Sequence, residues 1–342
     1  MGNRILVLGY FGYVTNKLDG QTIKTREIYD MIKRRSCRDV VYFDSEQLHT
    51  AGWRLLRLLW LVLRSQTIVY LPGQNNLKRF FSPLYCLSSF CRKEIIYVVV
   101  GGWLADFLAD KPKISKRLKS VKSLLVETSS LQTDLAARYG FDNVSLITNF
   151  RSQEFVPTIK RNRVFRIVYM GRIIPEKGCD IIFDFARYYS SLANRGDGLT
   201  IDFYGQIDPR YHERFSGSVA QYDFVSYKGV VGYHMASEVM SNYDVCVLPT
   251  SYMGEGCPGV VIDAYRAGIP VVVSRWRDIS EFVDDGKTGF VFDLERVEDF
   301  FHHLLWLRHN PDSLLQMKIY AYHKSRDYSE SKAWRVMCPL LA

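Results

Sequence analysis

Residues 243–274 read YDVCVLPTSYMGEGCPGVVIDAYRAGIPVVVS, and how this stretch is parsed decides the fold. It opens on a short apolar run, YDVCVLPTS, and closes on another, IPVVVS. Between them, residues 258–267 have helical character, with Pro258 in the first turn and Gly268 at the stop. Strand, helix and strand in succession make a βαβ unit, which implies a parallel sheet. The entry to the helix is unusual. Gly254, Gly256 and Gly259 loosen the backbone around Glu255, and Asp263 follows eight residues later, inside the helix. The bare N–H groups and positive dipole end of a helix attract anions. Asp263 lies about 7–8 Å along the axis from those amides. Two acids placed this way suit a ligand with phosphates and hydroxyls together. The plain alternative, a capped helix with both acids in solvent, leaves three glycines around one acid unexplained.

The same alternation extends in both directions. Upstream in the second half come VFRIVYMGR, LTIDFYG and FVSYKG, and downstream comes TGFVF. The first half repeats the pattern with RILVLGY, VVYFDS, TIVYLPG, EIIYVVVGG, SLLVETS and VSLITNF, separated by helical stretches such as TIKTREIYDMIKRR. The polar, proline-bearing segment 151–163 is the expected linker. The chain is therefore expected to be α/β, with two doubly wound Rossmann-like domains facing across a cleft and ligands at the carboxyl ends of the strands. The expected domains are 1–158 and 159–324, with a final helix, about 325–342, crossing back to the first.

Composition narrows the function. The 342 residues, 47% hydrophobic, are enough for two cores. Seven scattered cysteines without a CxxC pair point to reduced thiols and not to zinc. The first residues run straight into a strand pattern, so no signal peptide is expected. The net charge of +9 is uneven: residues 1–150 hold 22 Lys and Arg against 12 Asp and Glu, and the remainder 23 against 24. A basic half suits nucleic acid, anionic lipid or a phosphorylated substrate. With no zinc-finger spacing, RNP-like aromatic motif or basic low-complexity arm, nucleic acid is the least supported of the three.

Two further motifs carry chemistry. The strand FRIVYMGR ends on Gly171 and Arg172, and the loop IIPEKG brings Lys177 to the next helix. Two cations at a strand end and a helix start can clamp a diphosphate, although an ordinary surface turn would also hold them. In YVTNKLDGQTIKT, Gly20 precedes a helix with Gln21 and Thr22 in its first turn, which a simple N-cap would equally explain. The early GYFGYV lacks the GxGxxG spacing of a dinucleotide loop.

GRIIPEKG, YDVCVLPTSYMGEGCPGVVIDAYRAGIPVVVS and GKTGFVF together resemble the retaining GT-B glycosyltransferases of family 4, also called group 1. DGQTIKTREIYDMI and VVVGGWLADFL look like a branch that builds bacterial surface polysaccharides, and the likeness covers nearly the whole chain. It implies that Arg172 and Lys177 hold the donor diphosphate, that Glu255 holds the donor sugar and that Asp263 holds the ribose. It also implies that the amides of Gly256, Cys257, Pro258, Gly259 and Val260 surround the sugar or phosphate (Pro258 through its position alone). Gly20 and Gln21 would cap the diphosphate, Gly171 would lie beside it, and backbone near Gly229 and Val230 would meet the base. The second acid is usually Glu in the family, so Asp263 shortens that contact. Many relatives carry a His where this chain reads Gly101-Gly102-Trp103, a segment placed on the acceptor side, so the resemblance does not extend to a His-assisted mechanism. Asn149 matches a frequent family Asn near the hinge, where a structural turn role fits as well.

No two aspartates stand two residues apart, so there is no DxD motif to hold a bridging metal. No cofactor and no metal are expected. In GWRLLRLLWLVLRS, Arg54, Arg57 and Arg64 share one face among Leu, Val and Trp. In KPKISKRLKSVKSLL, Ile114, Leu118 and Val121 form a stripe among six Lys or Arg. Such helices can lie on anionic membranes, or they can be domain helices with solvated basic faces. The resulting expectation is a cytoplasmic glycosyltransferase, peripheral on the inner face of the membrane. It would use a UDP- or GDP-linked sugar and a glycan acceptor on a polyprenyl diphosphate. A GT-B epimerase and a non-catalytic nucleotide-sugar-binding subunit are the rivals.

Overall fold

The computed structural model describes residues 4–49, 53–192, 198–252 and 255–342. Gly254, one of the three glycines at the helix entry, falls outside the described residues. The chain divides into two compact units. One is Met1–Ser152 with Gly254–Cys257 and Tyr328–Ala342; the other is Gln153–Met253 with Pro258–Asp327.

The first unit is built on six parallel strands: β1 (Arg4–Gly9), β2 (Asp39–Asp44), β3 (Thr67–Leu71), β4 (Glu94–Val98), β5 (Ser123–Val126) and β6 (Val144–Leu146). Their order across the sheet is β2-β1-β3-β4-β5-β6. Helices cover both faces, so the strands are apolar on both sides, as parallel sheets demand. Leu6, Ile68, Tyr70, Ile95 and Tyr97 enter one core, and Ile5, Val7, Val69, Ile96 and Val98 enter the other. The C-terminal helix Glu330–Leu341 adds Ala333, Met337 and Leu341 to the second core, four residues apart and hence on one helical face. Its first residue, Glu330, receives Arg34 and, at 2.5 Å, Arg35 from the end of helix Gly20–Arg35.

The second unit repeats the plan with β7 (Phe165–Met170), β8 (Leu199–Tyr204), β9 (Val225–Tyr227), β10 (Val245–Leu248), β11 (Val271–Ser274) and β12 (Gly289–Phe292), all parallel, in the order β12-β11-β10-β7-β8-β9. Each sheet therefore reverses its winding once, between β1 and β3 in the first and between β7 and β10 in the second. Connections leave such a pair in opposite directions, which opens a crevice at the carboxyl ends of the two strands.

The two basic helices differ in what they bury. In Pro112–Leu118 and the turn after it, Ile114, Leu118 and Val121 are core residues, so this apolar stripe is not a free face. Helix Arg54–Arg64 buries only Leu61 and Val62 and leaves Leu56, Leu59, Trp60 and Leu63 exposed beside Arg57 and Arg64. No helix among the described residues is long and apolar enough to cross a membrane.

At the amino end of the second sheet, Lys318 and Asp244 form an ion pair at 2.7 Å, with side chains 4% and 3% exposed. Asp244 also accepts the Arg166 amide at 2.9 Å and Asn162 Nδ2 at 3.1 Å, while Lys318 donates to the Lys160 carbonyl at 2.9 Å. Helix Pro311–Ser325 is thereby fastened to the linker and to the first and fourth strands of its unit. Removing one partner of a buried pair strands the other charge and costs about 3–5 kcal/mol. Lys318→Met is expected to lower unfolding free energy by that amount in urea titration.

Burial also sorts the cysteines. Cys37, Cys86 and Cys338 are exposed, whereas Cys179, Cys246 and Cys257 are buried. Burial pushes the Cys179 and Cys257 thiols up to about 12, and that of Cys246 higher. The thiolate is the reactive species, so native protein treated with iodoacetamide at pH 8 should be modified at Cys37, Cys86 and Cys338 and spared at the three buried sites, as read by peptide mass spectrometry.

Candidate functional site

In the second unit the reversal of winding falls between β7 and β10, and the expected diphosphate clamp lies there. Gly171 and Arg172 follow β7, where Gly171 donates to the Tyr204 carbonyl at 3.0 Å and Ile173 to that of Gln206 at 2.9 Å. The Arg172 carbonyl is fixed by Tyr169 Oη at 2.7 Å. Lys177 lies directly before the N-cap of the next helix, outside the helix itself. It ends a short 3-10 turn, Pro175–Lys177, and Gly178 follows with φ +76° before helix Cys179–Ser191 begins. A side chain at Gly178 would put Cβ 1.8 Å from the Pro249 carbonyl oxygen. The missing side chain lets the loop after β10 press against this turn. The same loop is laced to it by Ser251 N and Thr250 Oγ1, which donate to the Glu176 carbonyl at 2.8 and 3.2 Å.

This lacing brings Tyr252 to the two cations. Its ring lies 5.8 Å from the Arg172 guanidinium carbon and 5.1 Å from Lys177 Nζ, so one aromatic ring lies close to both charges. Tyr252 was not singled out from sequence, because an aromatic residue in a loop has no periodicity to mark it. Arg172 also bears on Asp208, whose carboxyl is held down at about 2, first by its hydrogen bonds to Arg210 and in part by the Arg172 charge. A second close approach supports the strand end: Cβ at Gly205 would lie 1.7 Å from the Gly171 carbonyl oxygen. Gly229 and Val230 follow β9, where the Gly229 carbonyl accepts the Gly205 amide at 2.9 Å and Val230 is exposed.

Helix Gly259–Arg266 follows the loop after β10, with Pro258 as its N-cap and no side-chain cap among the described residues. Its first residues, Gly259 and Val260, are partly exposed. Asp263 is 5% exposed, which overturns the alternative of a solvated acid, and together with burial its charge pushes the Cys246 thiol up.

In the first unit, the connection after β1 is fixed by buried acids that sequence reading did not identify. Asp44, fully buried at the end of β2, accepts the amides of Phe11 and Tyr13, each at 3.1 Å. Glu46 accepts the Val14 amide at 2.9 Å and the Thr15 hydroxyl at 2.5 Å. Arg26 donates to the Phe11 carbonyl at 2.8 Å and stacks 4.6 Å from the Tyr13 ring. Asp19 then caps the helix that starts at Gly20, with a reciprocal pair of 3.0 Å bonds to Thr22. Gly20 is exposed, with open space where a Cβ would stand. Gln21 donates to the Leu71 carbonyl at 3.1 Å, joining the helix to the end of β3 across the reversal point of this sheet.

Gly101 and Cys257 meet in the same unit through Glu127, which accepts both amides, at 3.0 and 3.2 Å. The Cys257 amide, expected to face a ligand, is thus taken up inside the protein. Its carbonyl accepts Asn149 Nδ2, so Asn149 fastens the glycine loop. Gly102 and Trp103 follow Gly101, and Trp103 donates to the Val100 carbonyl at 2.7 Å while stacking edge-on with Phe107 at 5.3 Å. Glu255 is partly exposed at the start of this described segment.

Comparison with known proteins finds a family match for part of the chain. Residues 164–310 match the family described as Glycosyl transferases group 1. The sulfoquinovosyl transferase SQD2 of Arabidopsis thaliana is 28% identical over 183 residues, 51% of this chain and 33% of that protein. The alpha-monoglucosyldiacylglycerol synthase of Acholeplasma laidlawii is 26% identical over 178 residues, 50% of this chain and 41% of that protein. The chain therefore spans less than half the length of these curated relatives. Among solved structures, Anabaena HepE in complex with UDP and glucose superimposes with a TM-score of 0.76 over 99% of both chains, at 14% identity, which speaks to fold alone. The stretch 164–310, built on the second parallel sheet, thus resembles glycosyl transferases group 1, within a chain of GT-B fold.

Proposed function

We propose that this chain transfers a sugar from a nucleotide diphosphate sugar to a glycan acceptor carried on a polyprenyl diphosphate, in surface-polysaccharide synthesis, with retention of anomeric configuration. The observation that carries the reading is the convergence of Arg172 and Lys177 on Tyr252 at the reversal point of the second sheet. Two cations at the carboxyl end of parallel strands suit the diphosphate of a leaving nucleotide. Charge grows on that diphosphate as the glycosidic bond breaks, so the cations act most strongly in the transition state. Gly259 and Val260 add helix N-terminal amides to the same task. Asp263 holds the ribose, and Glu255 orients the sugar. No cofactor and no metal take part, a reading supported by the missing DxD pair. The HepE complex with UDP and glucose favours UDP-linked sugars as the first donors to try.

The test is a panel of UDP and GDP sugars scored for nucleotide release in EDTA, with and without lipid-linked acceptors, including diacylglycerol, which the Acholeplasma relative's name suggests. Acceptor-dependent release that survives EDTA is expected. Conversion of the donor sugar without acceptor would instead indicate an epimerase, and binding without release a non-catalytic subunit. Arg172→Ala is expected to lower turnover by about 3–4 kcal/mol in activation free energy, far more than it weakens donor binding. Asp263→Ala should weaken binding of the free nucleoside diphosphate, whereas Glu255→Ala should spare that binding and cut sugar transfer. The opposite pattern in calorimetry and kinetics would mean that the donor roles are reversed.

The enzyme is further proposed to work on the cytoplasmic face of an anionic membrane, docked through helix Arg54–Arg64. Leu56, at 70% exposure, and Trp60, at 51%, stand beside Arg57 and Arg64, the composition of an interfacial helix. Each basic residue near an anionic surface contributes about 1 kcal/mol, weakened by salt. Co-sedimentation with phosphatidylglycerol vesicles should exceed that with phosphatidylcholine, fall with salt and be lost in a Leu56→Ser/Trp60→Ser variant. Binding indifferent to lipid charge and to both substitutions would refute the docking.

A further inference from the structure

Glu127 and Lys24 form an ion pair sealed in the first unit, 2% and 1% exposed. Lys24 Nζ donates to Glu127 Oε1 at 2.6 Å. The other oxygen, Oε2, accepts the Gly101 amide at 3.0 Å and the Cys257 amide at 3.2 Å. One carboxylate thus ties together helix Gly20–Arg35, the loop after β4 and the glycine loop, segments 103 and 130 residues away in the case of Lys24 and Cys257. Lys24 also reaches the Ile147 carbonyl at 3.4 Å, and Asn149, just beyond it, donates its Nδ2 to the Cys257 carbonyl. The Cys257 peptide is therefore held at both ends. The segment is packed so closely that Cβ at Gly256 would stand 2.4 Å from Glu127 Oε2 and 2.9 Å from Gly101 Cα.

We infer that the buried Lys24–Glu127 pair is a positioning device for the reaction, fixing the segment that begins with Glu255 so that its carboxylate meets the transferred sugar. The inference rests on the sugar contact proposed for Glu255. A carboxylate can serve three donors at once because it only accepts; an amide in its place would turn N–H groups toward one of them. The lysine pairs with that carboxylate and orients it, and it contacts no ligand itself. Asn149 completes the clamp from the carbonyl side.

A merely structural pair and a positioning pair respond differently to substitution. In the double variant Lys24→Met/Glu127→Gln no charge is left stranded, so thermal stability should recover relative to Glu127→Gln alone. Turnover should nevertheless remain reduced at least 30-fold, with nucleoside diphosphate affinity within about twofold of wild type, because Arg172 and Lys177 are untouched. Gly256→Ala keeps every charge and displaces only the loop, so it answers the question even if the double variant does not fold; the same loss of turnover with unchanged nucleotide affinity is expected. Glu127→Asp, which keeps the charge on a shorter arm, should restore part of the rate. Wild-type turnover in a folded double variant or in Gly256→Ala would overturn the inference. Glu255→Ala is the reference: if it too turns over normally, the sugar-contact reading has failed, and if it alone is impaired, only the positioning role has.

Discussion

A strand in a parallel sheet cannot turn back onto its neighbour, because the chain must first cross the sheet to start again at the same end. That requirement organises both units of this protein. Every connection crosses over through helix or loop, both faces of each sheet become core, and the strand ends with free carbonyls all gather on one edge. Where the winding reverses, at β1/β3 and at β7/β10, two connections diverge and leave room. The loops at those points are the loops that hold Gly20 and Gln21 in the first unit, and Arg172, Lys177 and Tyr252 in the second. Location is set by topology before any side chain is chosen.

What the side chains add is rigidity, and it comes largely from buried charge. Asp44 and Glu46 accept successive amides of the connection after β1. Glu127 does the same for Gly101 and Cys257, and Asp244 for the start of β7. Loop backbone has no ladder partners, and an unsatisfied buried amide is costly, so a carboxylate with two accepting oxygens is an economical solution. For Glu127 and Asp244, sealed from water, a buried lysine supplies the compensating cation, Lys24 and Lys318 respectively. Glycines then let the loops approach to distances that a Cβ would forbid, as at Gly178 against Pro249 and Gly205 against Gly171.

The same economy separates two helices that look alike on paper. Pro112–Leu118 and Arg54–Arg64 both mix Lys or Arg with apolar residues, yet the first turns Ile114 and Leu118 into the core while the second leaves Leu56, Trp60 and Leu63 uncovered. Amphipathic spacing says that a helix has an apolar face. It does not say what covers that face, which depends on whether the crossover places the stripe over the sheet or beyond it.

By itself the sequence determined the class and order of the elements: among the described residues all twelve strands fall in the apolar runs that mark them, because side-chain periodicity and glycine or proline punctuation are local properties of the chain. It likewise exposed Gly171, Arg172, Lys177 and the Pro258 helix start, since charged residues directly after a strand stand out in an otherwise apolar context. Tertiary structure alone decided that Lys177 ends a 3-10 turn, that Tyr252 faces both cations, that Asp263 is buried, and that Lys24, Glu127 and Asn149 hold the Cys257 peptide. A buried ion pair between residues 103 positions apart leaves no local pattern, because each partner looks like a surface charge until the fold removes it from water.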